Sequence, residues 1–313
     1  MRLIDGGTHT NIWAHQNRIN RKIKVKNNKP HHHCGHLDTG KMVETGKLRV
    51  NAKDRRVGLT IDVQNQKPEN EIELEKVGIE GLRKLVSLKR AKATYNVIVT
   101  INSYITLPAN LRGVHMSRFV ESVRATPSTA SSIEDLAELV SKQALEKHGF
   151  DCQTEVFGEL PYERTRPSGE KENSIAQMFA KYSTKTKKKT AGIQINGALA
   201  CPCSKAMCNG LTHNQRGTLS VEIDSSNPKI QLLDIIEICS KSFSSPIFSL
   251  LKRSEEKKVV EKMHENARFV EDVTRKCVQL LKEKYPNRYC KVKCVSIESI
   301  HDHNVFSEWR GIL

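Results

Sequence analysis

The hydrophobic pattern changes character near residue 58. Residues 1–57 are polar and basic without a sustained period, so they lack the apolar surface that a packed core needs and read as a disordered extension. From there on, strand and helix periods alternate. Residues 96–107 are β-branched and partly alternating, which predicts a strand closed by Pro108. Ile133, Leu136, Ala137, Val140 and Ala144 recur at helical spacing behind Ser131 and Ser132, either of which can cap the helix; Gly149 ends it after His148. Residues 152–160 read as a strand, 184–190 as an exposed polar hairpin or loop, and 192–200 and 218–223 as two more strands. Residues 230–239 are helical. A second helical stretch runs from about Glu256 to Lys284, with Asn266 as a point of breakage. Residues 289–300 form a last strand that alternates through Val292, Cys294 and Ser296.

A short echo bears on domain organisation. Residues 118–123 (RFVESV) recur as 268–273 (RFVEDV) with five of six positions identical. Self-similarity at this separation predicts two related modules in tandem, roughly 58–150 and 151–313. No apolar run reaches the ~18 residues that a membrane-spanning helix requires. Residues 1–30 lack the apolar centre of a secretory signal. The nine cysteines are odd in number and irregularly spaced, which predicts free thiols in a reducing, cytoplasmic setting.

The net charge of +16 changes little once it is located. Residues 1–60 hold 13 Lys and Arg against 4 Asp and Glu, so most of the excess lies outside the patterned region. The remainder has neither an RNA-binding aromatic motif nor a helix-turn-helix, which argues against nucleic acid as a partner. A polyanionic small substrate suits a basic cleft equally well.

The chemistry concentrates between residues 201 and 217. Cys201-Pro202-Cys203-Ser204-Lys205, Cys208 and His213-Asn214-Gln215-Arg216-Gly217 place three thiols and an imidazole within thirteen residues. Thiolate and imidazole select borderline metals, and the spacing differs from that of a closed structural zinc site. Cys203 stands two residues from Cys201 and is an alternative ligand. Further donors would come from Glu255 and Glu256, from Glu271, and from the run containing His301 and His303.

Taken together, these segments resemble the type IB GTP cyclohydrolases, a group that includes the archaeal methanopterin-pathway enzyme. The resemblance covers about residues 58–308. It is carried by Asp62-Val63-Gln64, Val77-Gly78-Ile79, Leu107-Pro108, the Gly113–Glu121 run, the 201–217 loop, Phe243-Ser244-Ser245-Pro246, Lys252-Arg253, Phe269-Val270-Glu271-Asp272 and Glu298-Ser299-Ile300-His301. It implies an α+β tunnelling fold: two tandem modules of antiparallel sheet backed by helices, assembled into a homodimer or homotetramer. It also implies one divalent metal, Fe(II), Zn(II) or Mn(II), held by Cys201, Glu256, His301 and His213. His213 and Cys201 would be catalytic, and Glu271 would grip the guanine edge of GTP. His115, Arg118, Lys205 and Arg216 would meet the triphosphate. The implied reaction opens the imidazole ring at C8 and releases formate, leaving a 7,8-dihydroneopterin triphosphate or 2',3'-cyclic phosphate for pterin biosynthesis. The rival readings are a tunnelling-fold pterin or purine enzyme without this activity and a basic RNA-binding protein with structural zinc.

Overall fold

The computed structural model describes residues 62–90, 93–227 and 229–313. The extension expected over residues 1–57 lies outside the described residues. In chain order the elements are β1 (Leu74–Arg90), β2 (Ala93–Leu107), α1 (Met116–Ala125), β3 (Thr129–Ala130), α2 (Ile133–His148), β4 (Cys152–Thr165), β5 (Lys171–Ser183) and β6 (Lys189–Ala200). Then follow α3 (Pro202–Met207), β7 (Asn214–Asp224), α4 (Leu232–Ser242), β8 (Ser245–Pro246), α5 (Arg253–Glu265), α6 (Val270–Lys284), β9 (Tyr289–Ile297) and β10 (Val305–Ile312).

One sheet runs in the order β10-β9-β7-β6-β5-β4-β2-β1-β3, with β8 attached to β6. Its long strands pair antiparallel throughout, and only the short β3 lies parallel, beside β1. The order strand-strand-helix-helix-strand-strand occurs twice. The first set is β1, β2, α1, α2, β4 and β5; the second is β6, β7, α4, α6, β9 and β10, with α3, β8 and α5 as additions. This is the tunnelling fold of class α+β, two tandem modules of antiparallel sheet backed by helices.

The repeat divides at residues 184–188, between β5 and β6, instead of near residue 150. Gly149 is a strong stop signal, with φ of 75° in the left-handed region, but it closes a helix and not a module. The RFVE echo also has a different meaning from the one its spacing suggests. Its first copy lies in α1, the first helix of one set; its second opens α6, the last helix of the other. The two positions are not equivalent, so the duplication rests on the order of elements alone.

Period-two burial shows which face the helices cover. Val86, Leu88, Val97, Val99 and Ile101 are buried in the same core as the α2 stripe Ile133, Leu136, Ala137 and Val140. Leu85 and Ile98, cross-strand partners on the opposite face, remain 62% and 53% exposed. Ser132 is the N-cap of α2 and accepts the Asp135 N–H. One close approach demands glycine: a Cβ on Gly197 in β6 would lie 2.2 Å from the Phe243 ring, which is buried against that strand. This contact seats the chain leaving α4 against the end of β6.

The last residue of α2, His148, is buried with its ring centroid 4.2 Å from that of Phe119, and its Nε2 has no hydrogen-bond partner. Burial, followed by the nearby charges of Arg118 and His115, pushes its pKa down to about 4. The unfolded chain therefore takes up this proton first, near pH 6.5. The contribution of neutral His148 to stability is complete above that pH and is lost as pH falls towards 4. Urea unfolding between pH 6.5 and 4 is expected to show a loss on the order of 2–3 kcal/mol from this group. His148→Phe should remove that component of the pH dependence; an unchanged profile in the variant would exclude His148 as its source.

Candidate active site

A cleft of about 550 Å³ opens where β6, β7 and β9 end beside the N-terminus of α6. The sequence builds it from short-range constraints. Chain leaving β6 at Ala200 turns immediately into α3, with Cys201 as N-cap and Pro202 in the first helical turn. The Cys201 Sγ accepts the Ser204 N–H at 3.4 Å. The loop is then pinned shut: Cys201 N–H donates to the His213 carbonyl at 3.2 Å, and Thr212 Oγ1 donates to the Cys201 carbonyl at 2.7 Å. A thiol and an imidazole twelve residues apart thereby face one cleft.

The opposite wall is the start of α6. Arg268 N–H donates to the Ala200 carbonyl at 3.0 Å, tying α6 to the end of β6. The Arg268 guanidinium donates from Nη1 to the carbonyls of Lys241 (3.1 Å) and Ser242 (2.6 Å), which satisfies the last turn of α4. Asn266 Nδ2 donates to the carbonyls of Phe243 and Ser244. Asp272 accepts the Phe269 N–H and caps α6, leaving Glu271 in the first turn, where a carboxylate is favoured by the helix dipole. Glu271 and Phe269 both line the cleft.

The third wall is the segment joining β9 to β10. Glu298, His301, His303 and Phe306 all face the cleft, and the two imidazoles stack with centroids 5.4 Å apart. His213 Nδ1 lies 3.0 Å from Gln215 Oε1 and 3.4 Å from Ser299 Oγ, while Gln215 Nε2 donates to Glu298 Oε1 at 3.5 Å.

Four of the expected site residues therefore converge: Cys201, His213, Glu271 and His301. Five do not. Glu256 is exposed on α5 and does not line the cleft. Its neighbour Glu255 is the buried member of the pair. Hydrogen bonds from the Lys252 and Ser168 N–H groups, with Arg166 beside it, hold the Glu255 carboxyl below the usual range. His115, the N-cap of α1, has Nε2 3.4 Å from Asp62 Oδ2, and Arg118 is half-buried on α1 in the other module. Lys205 donates from Nζ to the His264 carbonyl at 2.6 Å. Arg216 follows Gln215 in β7, so strand alternation sends it to the opposite face of the sheet. Gln215, Glu298, Arg268, Phe269 and Phe306 are cleft residues that motif reading passed over. Gln215 could have been found from alternation, since it lies two residues from the flagged His213 at the start of β7; Glu298, three residues from His301 and beyond the end of β9, could not.

Among the described residues, no three His, Cys, Asp or Glu side chains are grouped closely enough to hold an ion. The donor types nonetheless suit a borderline divalent metal. One thiol and three imidazoles open on a single cleft, and His213 has Nδ1 engaged, which leaves Nε2 for a ligand.

A concave site with a thiol, imidazoles and a carboxylate at a helix N-terminus is that of an enzyme acting on a small polar substrate. Residues 60–307 match the family described as type I GTP cyclohydrolase FolE2, and the chain belongs to that family. It is 37% identical over 262 residues to GTP cyclohydrolase MptA of Pyrococcus abyssi, covering 79% of this chain and 98% of that protein. It is 35% identical over 256 residues to GTP cyclohydrolase FolE2 of Thermosipho melanesiensis, covering 79% of this chain and 96% of that protein. Among solved structures, uricase from Arthrobacter globiformis aligns with a TM-score of 0.48 at 10% identity, covering 76% of this chain and 93% of that one.

Proposed function

We propose that this cleft opens the imidazole ring of GTP with the help of one divalent metal, Fe(II), Zn(II) or Mn(II), held by Cys201, His213 and His301. That the chain is a GTP cyclohydrolase, acting at the first step of pterin biosynthesis, follows from its family; the roles of individual residues are the proposal. The observation that carries it is convergence: Cys201, His213, Glu271 and His301 come from distant parts of the chain and meet in one cleft. The proposal omits Glu256, because α5 leaves that side chain in solvent.

Guanine presents N1–H and N2–H₂ as a paired donor edge, and the Glu271 carboxylate accepts both. The exposed Phe269 ring stands beside it as a face for the purine. Hydrolysis consumes two waters at C8. The first adds and breaks the bond to N9, leaving a formamide on N7. The second breaks the bond to N7, so that N9 gains one proton, N7 gains two and C8 leaves as formate. A metal in this cleft supplies Lewis acidity, lowering the pKa of a water towards ~7. His303, stacked on His301 and open to the cleft, is placed to move the protons. Expected catalysis by His213 becomes ligation in this arrangement, since an imidazole nitrogen that binds a metal no longer carries a proton.

The triphosphate needs cations that this cleft does not offer. Arg268 is the one Lys or Arg among its described lining residues, and its guanidinium is committed to α4 carbonyls. We place His115, Arg118 or Arg216 of a neighbouring copy against the phosphates in a homodimer or homotetramer. The exposed Leu85 and Ile98, and the edge strand β10 beside the cleft, support self-association. No helix among the described residues is long and apolar enough to cross a membrane. The eight described cysteines are all free, which supports a reducing cytoplasmic location.

The test is formate release from GTP. One formate per GTP is expected, abolished by exhaustive chelation and restored by added metal. Phosphorus NMR of the product distinguishes the cyclic phosphate from the triphosphate. GTP loss without formate would overturn ring opening, and full turnover after chelation would overturn the metal.

A further inference from the structure

The hydrogen bonds around His213 settle a question that the residue types leave open, namely which ring nitrogen faces the cleft. His213 Nδ1 lies 3.0 Å from Gln215 Oε1. An amide can present either its oxygen or its NH₂ to a neighbour, so this contact alone does not say which atom of the pair donates. The far end of the amide decides it. Gln215 Nε2 is 3.5 Å from Glu298 Oε1, and an ionised carboxylate only accepts. The NH₂ must therefore turn to Glu298 and the amide oxygen to His213. A carbonyl oxygen also only accepts, so Nδ1 must carry the proton. Ser299 Oγ, 3.4 Å from the same nitrogen, is compatible because a hydroxyl can also accept.

We propose that Gln215 is a positioning residue that relays the acceptor character of Glu298 to His213 and fixes its neutral ring with Nδ1 protonated and the Nε2 lone pair turned to the cleft. This rests on the reading of His213 as a metal ligand only for its consequence, not for its geometry. The relay runs entirely within the second module: His213 precedes β7, Gln215 lies in β7, and Glu298 follows β9, which pairs with β7 through Arg216 and Ile297. Strand pairing thus holds both ends of the relay in register. Without it, the ring could take either tautomer or turn over, and the nitrogen offered to the cleft would no longer be fixed. An outer carboxylate acting on a ligating imidazole usually does so directly. Here an amide is interposed, which conveys the preference for an acceptor without placing a negative charge against the ring.

The tautomer can be read without metal or substrate. In metal-free protein labelled with ¹⁵N-histidine, long-range ¹⁵N–¹H correlation should show His213 as the Nδ1–H form, its signal identified by loss in His213→Asn. Gln215→Leu, similar in size but without hydrogen bonds, should give a mixture of both forms. It should also weaken Zn(II) binding about 10- to 100-fold and lower kcat while leaving KM for GTP within about twofold. Glu298→Leu, at the other end of the relay, should give the same spectrum. Gln215→Glu alone places two carboxylates together and should not recover. Combined with Glu298→Gln, it restores the order of donor and acceptor and should recover both the tautomer and the affinity, which a merely structural role would not. A wild-type His213 tautomer in Gln215→Leu, or no recovery in the double variant, overturns the relay. Wild-type protein that binds no Zn(II) would instead sink the metal reading, and the tautomer spectrum would still decide the relay.

Discussion

Cys201→Ala is expected to lower formate release from GTP by at least about 1,000-fold while leaving the unfolding midpoint close to that of the wild type. Among the described lining residues its thiol is the one sulfur donor, and at the proposed metal site its loss would remove the Lewis acidity that brings a water towards a pKa of about 7. The fold should tolerate the change. The backbone of residue 201 makes the contacts that close the loop, donating to the His213 carbonyl and accepting from Thr212, and alanine preserves both. What is lost on the structural side is the weak Ser204 N–H to Sγ contact. Metal content by elemental analysis should fall with activity. Cys203→Ala, on an exposed side chain outside the cleft, is the control and should retain most turnover. If Cys201→Ala kept full activity and Cys203→Ala lost it, the ligand would have been placed on the wrong cysteine.

Glu271→Ala should have an effect of comparable size on a different parameter. Guanine brings two donors that would face no acceptor, and a polar edge left unpaired in a desolvated cleft costs about 1–3 kcal/mol for each group, more where a charge is involved. A loss of 10³–10⁴ in kcat/KM is therefore expected, in line with the ~10⁴ discrimination seen where a site is built to hydrogen-bond one edge of its substrate. Metal content should be untouched. Glu271→Gln should recover only part of the loss, because an amide accepts through its oxygen but sets its NH₂ against the second donor. Equal activity in Glu271→Ala and wild type would remove this residue from the site. Destabilisation should be limited to the loss of one favourable charge at a helix N-terminus, about 0.3–1 kcal/mol.

The sequence revealed the second module better than the first. α2 was legible in full because its apolar stripe, its serine cap and its terminal glycine all agree. β1, β5 and β10 were not. Each carries large apolar side chains at exposed positions, Leu74 and Leu85 in β1, Ile175 in β5, and Phe306 and Ile312 in β10, so the alternation of apolar and polar residues is broken. The break between α5 and α6 was visible only as a weak hint at Asn266; in the structure it is a whole capped junction, held by Asn266, Arg268 and Asp272. The family resemblance pointed to Cys201, His213, Glu271 and His301, which line one cleft, because each belongs to a distinctive run. It could not tell that Glu255 is buried and Glu256 exposed, since adjacent glutamates at a helix start look alike in sequence. Nor could it show that Lys205 and Arg216 turn away, because orientation depends on strand parity and on a carbonyl fifty-nine residues distant.

Every wall of the cleft is drawn from between Leu199 and Phe306. The other half of the duplicated fold has the same strands and helices but none of the donors. Outside α1, whose His115 and Arg118 are proposed to reach the phosphates bound by a neighbouring copy, that half answers to packing and to whatever it touches from outside. Substitution should therefore accumulate more freely between β1 and β5 than between β6 and β10, so that an ancestral pair of equal halves comes to read as one conserved half and one drifting half.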